Sequence, residues 1–228
     1  MLLLASKSPG RLSTLRAAGV EPLVRVSEVD EPAVLADLAH ERAAAGSPAP
    51  TPAEQVQALA RAKALAVVGS LCAEERALPG LVVVGCDSML EIDGEVVGKP
   101  RTSERVVERW RAMRGHRGAL HTGHFLVRAS DGTTAEGVST ALIGFADVSD
   151  AEIEAYAATE EPLWCAGAFT IDGLGGAFIE SIEGDPHGVV GISLPLLRRL
   201  LAGLGVTWTD LWGRPGGAAG STGAGSGA

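Results

Sequence analysis

Apolar positions along this chain fall into short runs and spaced stripes, and their spacing predicts the elements. Residues 2–5 (LLLA) form a run of strand length. Ser8 then caps a helix whose first position is Pro9, where the missing N–H is no loss, and Leu12 and Leu15 give it an apolar stripe. Gly19 ends that helix, and residues 20–26 read as the next strand. Residues 43–50 (AAAGSPAP) are small and proline-bearing, a surface loop. Thr51, Pro52 and Glu54 make a capping box before a helix whose stripe is Val56, Leu59, Ala60 and Val67. Lys63 falls on that stripe, which aims its ammonium at the rim of a cleft rather than at open solvent.

Residues 81–86 are continuously apolar up to Cys86, as expected of a central strand covered on both faces. Asp93-Gly94 closes a two-residue hairpin between residues 89–92 and 95–97, and Asp131-Gly132 closes a longer one between residues 120–129 and 134–148. A helix over residues 102–114 separates them. Ser149 and Glu152 form another capping box, opening a short helix through residue 158. Glycine-rich strands over residues 166–182 and a helix over 193–204 complete the pattern. Helices and strands alternate irregularly around two hairpins, so the fold class is α/β, a mixed twisted sheet with flanking helices. Residues 213–228 hold seven glycines among 16 positions and no large apolar side chain, and are expected to be a disordered tail beyond a domain at 1–212.

The chain has 228 residues, of which 46% are hydrophobic and 21% charged, within the range of globular proteins. Its formal charge of −9 argues against a nucleic-acid binder, which needs a broad cationic face. A small anionic ligand stays open if a few cations gather in one cleft. No apolar run has the length of a membrane span. The apolar stretch at the start is too short for a secretion signal and lacks a basic flank. Cys72, Cys86 and Cys165 are an odd number without CxxC spacing, and the histidines His116, His121, His124 and His187 show no ligand spacing. A reducing cytoplasm and no membrane partner are therefore expected.

Several segments carry candidate chemistry. In residues 4–11 (LASKSPGR) a strand runs into a helix N-terminus, whose free N–H groups receive anions. Ser6 and Ser8 add hydroxyls there and Arg11 a guanidinium fork, although an ordinary capped helix has the same pattern. Asp87, in GCDS at residues 85–88, stands at the carboxyl end of the central strand, where open α/β sheets bind ligands. It can orient water, hold Mg²⁺, or simply form a turn. Lys99, in GKP after the first hairpin, lies outside any Walker frame and reads equally as a surface lysine. Glu28, Asp30 and Glu31 follow the second strand as a solvated acidic loop that can also supply metal-ligating oxygens. Trp164 is either a base-stacking ring or, more commonly for so large an aromatic, core.

Taken in order, these segments resemble the Maf family, across residues 2–212. The marks are LASKSPGR, EVDE at 28–31, ARAKA at 60–64, GCDS at 85–88, DGEVVGKP at 93–100, EPLWCAGAFTIDGLGG at 161–176 and GDPHGVVGISLPLL at 184–197. The resemblance implies two lobes around a central cleft and hydrolysis of a nucleoside triphosphate to the monophosphate and pyrophosphate. It implies Asp87 as proton acceptor, Ser6, Ser8, Arg11, Lys63 and Lys99 along the triphosphate, and Glu31 beside them. A divalent cation, Mg²⁺ or Mn²⁺, on Asp87 and Glu31, and a homodimer, are implied as well. Family branches take dTTP and UTP or methylated nucleotides such as 7-methyl-GTP, and residues 161–176 mix features of both. Many members carry two adjacent arginines where this chain has Gly10 and Arg11. A non-hydrolysing nucleotide-binding regulator of septation, or an inosine triphosphatase-like enzyme on a similar scaffold, are the competing readings.

Overall fold

A computed structural model describes residues 1–213. Along the chain run β1 (Leu2–Leu4), α1 (Pro9–Ala17), β2 (Leu23–Val24), α2 (Glu31–Ala44), α3 (Pro52–Gly69), α4 (Ala73–Arg76), β3 (Val82–Ile92) and β4 (Glu95–Val97). Then come α5 (Ser103–Met113), β5 (Arg117–Arg128), β6 (Thr134–Phe145), α6 (Asp150–Ala158), β7 (Ile179–Glu183), α7 (Pro186–Val190) and α8 (Leu194–Gly203). The seven strands make one mixed sheet in the order β2-β1-β3-β5-β6-β7, with β4 also on β3. β2, β1 and β3 are parallel, and every other pairing is antiparallel.

The local signals explain most of these boundaries. Ser8, Thr51, Thr102, Ser149 and Ser193 each cap a helix through their side-chain oxygens. Asp93 and Gly94 both adopt positive φ, 51° and 83°, as a type I′ turn requires, and pair Ile92 with Glu95. Three expectations fail. Residues 20–26 contribute only the two-residue strand β2, because Val20 pairs instead with Trp212 in an isolated bridge. The acidic segment near residue 30 is not a loop: Asp30 accepts from the Ala33 N–H and caps α2, which runs on to Ala44. The stretch 166–182 is not a set of strands. Gly167, at φ 78°, interrupts one 3₁₀ turn, a second spans Leu174–Phe178, and only β7 follows. The expected tail lies outside the described residues, apart from Gly213.

The long strands β3 and β5 contribute to three cores, and β6 to the aromatic one among them. At one end of the sheet, Leu2, Leu4, Leu15, Val84, Leu126, Leu197 and Leu201 pack on one face, and Leu3, Ala60, Ala64, Val83 and Phe125 on the other. At the far end Trp110, Phe145, Tyr156, Leu163 and Phe169 form a third, aromatic core with Leu90 and Ile143. Two lobes result, and the cleft lies where they meet. Among the described residues no helix is long and apolar enough to cross a membrane.

Candidate active site

The site forms at a gap in the edge of β3. β1 stops pairing with β3 at Leu4↔Val84, and β4 begins at Val97↔Leu90, so residues 85–89 lie between the two partners. Asp87 is therefore not at the end of its strand. It sits within β3, opposite Gly123 of β5, but just beyond the carboxyl end of the parallel strand β1. The β1–α1 turn opens onto one side of this gap, and the residues after β4 onto the other.

Side chains alternate along a strand, so Asp87 and Ser88 face opposite sides of the sheet. On the Asp87 side, α3 lies against the strands at two glycines. A Cβ at Gly85 would fall 2.7 Å from the Ala64 nitrogen, and one at Gly123 would fall 2.6 Å from the Val56 carbonyl carbon. No other residue fits there. This close approach brings Lys63 of α3 onto Asp87, with Nζ 2.5 Å from Oδ1 and both side chains largely buried, at 12% and 14% exposure. Glu31, in the first turn of α2, reaches the same ammonium, Oε1 to Nζ 2.6 Å. Partial burial pushes the Glu31 carboxyl up, but the Lys63 hydrogen bond and charge, joined by the fields of Lys99 and Arg11, hold it below the usual carboxylate range.

On the Ser88 side stands Arg11, buried under Gly191. Its Nε donates to the Gly191 carbonyl at 2.8 Å, Nη1 to Ser6 Oγ at 3.1 Å and Nη2 to Ser88 Oγ at 3.2 Å. Ser88 continues to Thr122 Oγ1 at 2.9 Å, which donates to the Gly188 carbonyl at 2.7 Å. Ser6 Oγ also accepts from the Ser8 N–H, and Ser8 Oγ accepts from the Arg11 N–H. These bonds fix the turn at the start of α1, where Pro9 has no N–H and the Arg11 N–H is taken by Ser8, so the Gly10 N–H is left without an acceptor among the described residues. Gly10 occupies the position at which the resemblance leads one to expect another arginine. A Cβ there would lie 3.1 Å from Val190 Cγ1, a tight contact that a larger residue would relieve only by shifting that side chain.

Lys99 lies in the exposed segment after β4 and has no ion pair among the described residues, but its positive charge acts on both Glu31 and Cys165. Its segment is tied to the far lobe by the Arg101 N–H, which donates to the Leu163 carbonyl at 3.0 Å. Cys86, beside Asp87, is fully buried, and burial pushes its thiol up to about 12, so it is no nucleophile. Trp164 is not core: it is 67% exposed on the lip of the far lobe.

That lip has an anchor that the sequence reading missed. The Glu161 carboxylate accepts from Thr170 Oγ1 at 2.6 Å, Tyr156 Oη at 3.1 Å, the Leu174 N–H at 3.0 Å and the Gly175 N–H at 3.1 Å. Gly173 is required because a Cβ would fall 2.6 Å from Glu161 Oε2. Only the close spacing of Glu161 to a run of glycines hinted at such a role.

The donor set suits a divalent ion of the Mg²⁺ type, which takes one or two protein carboxylates and completes its shell with phosphate and water oxygens. The carboxylates of Asp87 and Glu31 are that pair, brought together by their shared contact with the Lys63 ammonium. Among the described residues no three His, Cys, Asp or Glu side chains gather into a complete protein cage.

The family model for Maf-like proteins matches residues 1–204. The chain belongs to the Maf family. A curated relative from Saccharopolyspora erythraea, named nucleoside triphosphate pyrophosphatase, is 52% identical over 216 residues, covering 93% of this chain and 97% of the relative. Relatives of the same name from Salinispora tropica and Leifsonia xyli subsp. xyli are each 52% identical, covering 93% and 94% of this chain and 88% and 98% of their own lengths. The Maf marks thus sit where the fold brings them together: SKSPGR in the β1–α1 turn, ARAKA on α3, and GCDS in the gap.

Proposed function

We propose that this protein hydrolyses a nucleoside triphosphate to its monophosphate and pyrophosphate by attack of water at the α-phosphorus. It is a hydrolase of phosphorus anhydrides. The observation that carries the reading is the convergence of the Asp87 and Glu31 carboxylates on the Lys63 ammonium, one residue from the Arg11–Ser88 contact. Arg11, buried in the first turn of α1, forms no ion pair among the described residues, so its charge is available to an anion.

Asp87 is the base. Its carboxylate takes a proton from water as the water oxygen bonds to the α-phosphorus, and the bridge to the β-phosphate breaks with its electrons leaving on pyrophosphate. Lys63, oriented by two carboxylates, keeps a third N–H for a phosphate oxygen. Arg11 and Lys99 meet the charge that grows on the departing pyrophosphate, from the two sides of the gap. The hydroxyls of Ser6 and Ser8 and the Gly10 N–H at the start of α1 fix its orientation. Asp87 and Glu31 would hold Mg²⁺ or Mn²⁺, which supplies Lewis-acid stabilisation of the phosphate oxygens when bound. The reading carries with it a cytoplasmic, homodimeric enzyme.

Two substrate classes follow from the resemblance: dTTP with UTP, and methylated nucleotides such as 7-methyl-GTP. Pyrophosphate release measured with Mg²⁺ across a panel of both classes and the common nucleotides tests the reaction and chooses between them. One nucleotide is expected to stand clearly above the others. Binding without release from any of them would sink hydrolysis and return the non-catalytic regulator of septation.

A further inference from the structure

The face of the sheet that carries Asp87 continues past it. α3 meets this face at Gly85 and at Gly123, there against the backbone of Val56. Met89 and Glu91 follow Asp87 on the same face of β3. His121 of β5 lies opposite Met89, and Thr140 of β6 opposite His121. Thr140 is exposed and Met89 and Glu91 are half-buried, so solvent reaches this floor.

Glu91 is held rigidly on that floor. His121, itself buried, places Nε2 3.1 Å from Glu91 Oε2 and Nδ1 2.9 Å from Thr140 Oγ1. The Thr140 hydroxyl donating to Nδ1 leaves the Nε2–H to donate to the carboxylate. Both ring nitrogens are then engaged, so His121 orients Glu91 rather than touching anything in the cleft. The other carboxylate oxygen of Glu91 has no hydrogen-bond partner among the described residues and is free to accept. Four residues at the strand rise separate it from Asp87, about 13 Å. That is the span of a nucleoside laid along the floor from the phosphorus that Asp87 faces.

We propose that Glu91 is a substrate-recognition carboxylate for the nucleoside, accepting a hydrogen bond from a sugar O–H or a base N–H. His121 is its positioning residue, and Met89 is the apolar surface between it and Asp87. This assignment rests on the reading of the gap as the triphosphate site, and it gives the face an electrical direction. Lys63 and Arg11 attract phosphates at one end, and a fixed anion repels them at the other while rewarding neutral donors. The substrate is thereby bound in one orientation.

The test separates nucleoside from phosphate. Glu91→Gln keeps the shape but removes the charge, and is expected to raise KM for the preferred triphosphate and the inhibition constant of its monophosphate together, by about 10-fold to 100-fold. Inhibition by pyrophosphate, which occupies the gap alone, should stay within about twofold. His121→Gln should move the same two constants in the same direction by less. Loss of discrimination against the 2′-deoxy nucleotide would identify the sugar as donor, and loss of discrimination between bases the base. Unchanged monophosphate affinity, or pyrophosphate weakening in parallel, overturns the assignment. Direct titration of the parent and Glu91→Gln with monophosphate decides this even where no nucleotide is hydrolysed, an outcome that would count against Asp87 as base instead. If Glu91→Gln lowers Tm, Glu91→Asp carries the same comparison with the charge retained.

Discussion

The corner around Asp87 and the lobe around Trp110 are built by opposite means. The corner holds charge, and its precision comes from small residues: Gly85 and Gly123 let α3 touch the sheet, and hydroxyls of Ser6, Ser88 and Thr122 chain Arg11 to the backbone. The lobe holds rings. Trp110 meets Phe145, Tyr156 and Phe178 edge to face, at centroid distances of 5.8, 5.9 and 5.7 Å, and donates Nε1–H to the Ala168 carbonyl at 2.8 Å. Buried charge adds little net stability, because desolvation offsets attraction, whereas buried aromatic area adds much. On the proposed reading the chemistry sits in the corner, and the rings of the far lobe add stability.

That division predicts a crossed pair of outcomes. Asp87→Asn should lower kcat by on the order of 10²–10⁴, roughly 3–5 kcal/mol of barrier, and leave Tm within a few degrees of the parent. Activity within about threefold of the parent would remove Asp87 from the chemistry. Trp110→Ala should do the reverse. Emptying this fully buried site is expected to remove about 3–5 kcal/mol of stability, read by denaturant unfolding, while kcat well below Tm stays within about threefold. Should kcat fall along with stability, the lobes are coupled and the division is wrong.

The fold was legible where the determinants were local. Capping boxes at Thr51 and Ser149, and the Asp-Gly hairpins, act within a few residues, and each element formed as its spacing predicts. Lys63 was legible for a related reason: a charge on an apolar stripe must have a buried partner, and Asp87 is that partner. α2 escaped because it buries no side chain, so it has no apolar stripe to read, and Glu31 passed for a loop residue. The 166–182 segment escaped because its conformation is set by the Glu161 carboxylate, through contacts up to 14 residues away. Local pattern contains no record of such contacts. The gap itself, which makes Asp87 accessible in mid-strand, depends on where β1 and β4 stop pairing.

Acid should separate the two ends further. His124, opposite Cys86 in β5, is buried beneath α8 as a neutral ring: Nδ1–H donates to the Thr122 carbonyl at 3.0 Å and Nε2 accepts the Ser193 N–H at 2.9 Å. Burial pushes its pKa down to about 4. A protonated ring cannot accept from Ser193, so the unfolded chain binds the extra proton first. The stabilisation is complete above about pH 6.5 and drains away as pH falls toward 4, amounting to at most about 3 kcal/mol. Unfolding free energies of the parent from pH 7 to pH 4 should fall more steeply than those of His124→Gln. Parallel profiles would mean that another group governs acid stability.

The smallest effect tests how the corner uses shape as distinct from charge. Arg11→Lys keeps a cation beside Ser88 but replaces a planar fork by a single ammonium. The guanidinium engages Gly191, Ser6 and Ser88 with three N–H donors and still has others to offer a phosphate. Lysine cannot hold those partners and a phosphate oxygen together. Glu31 should feel little difference, since it senses Arg11 only through its field. The expected result is a rise of about 10-fold in KM, near 1.4 kcal/mol, with kcat changed by less than about threefold. A fall in kcat at constant KM would instead make Arg11 a partner of the transition state alone, with its charge acting on the departing pyrophosphate and not on the bound triphosphate.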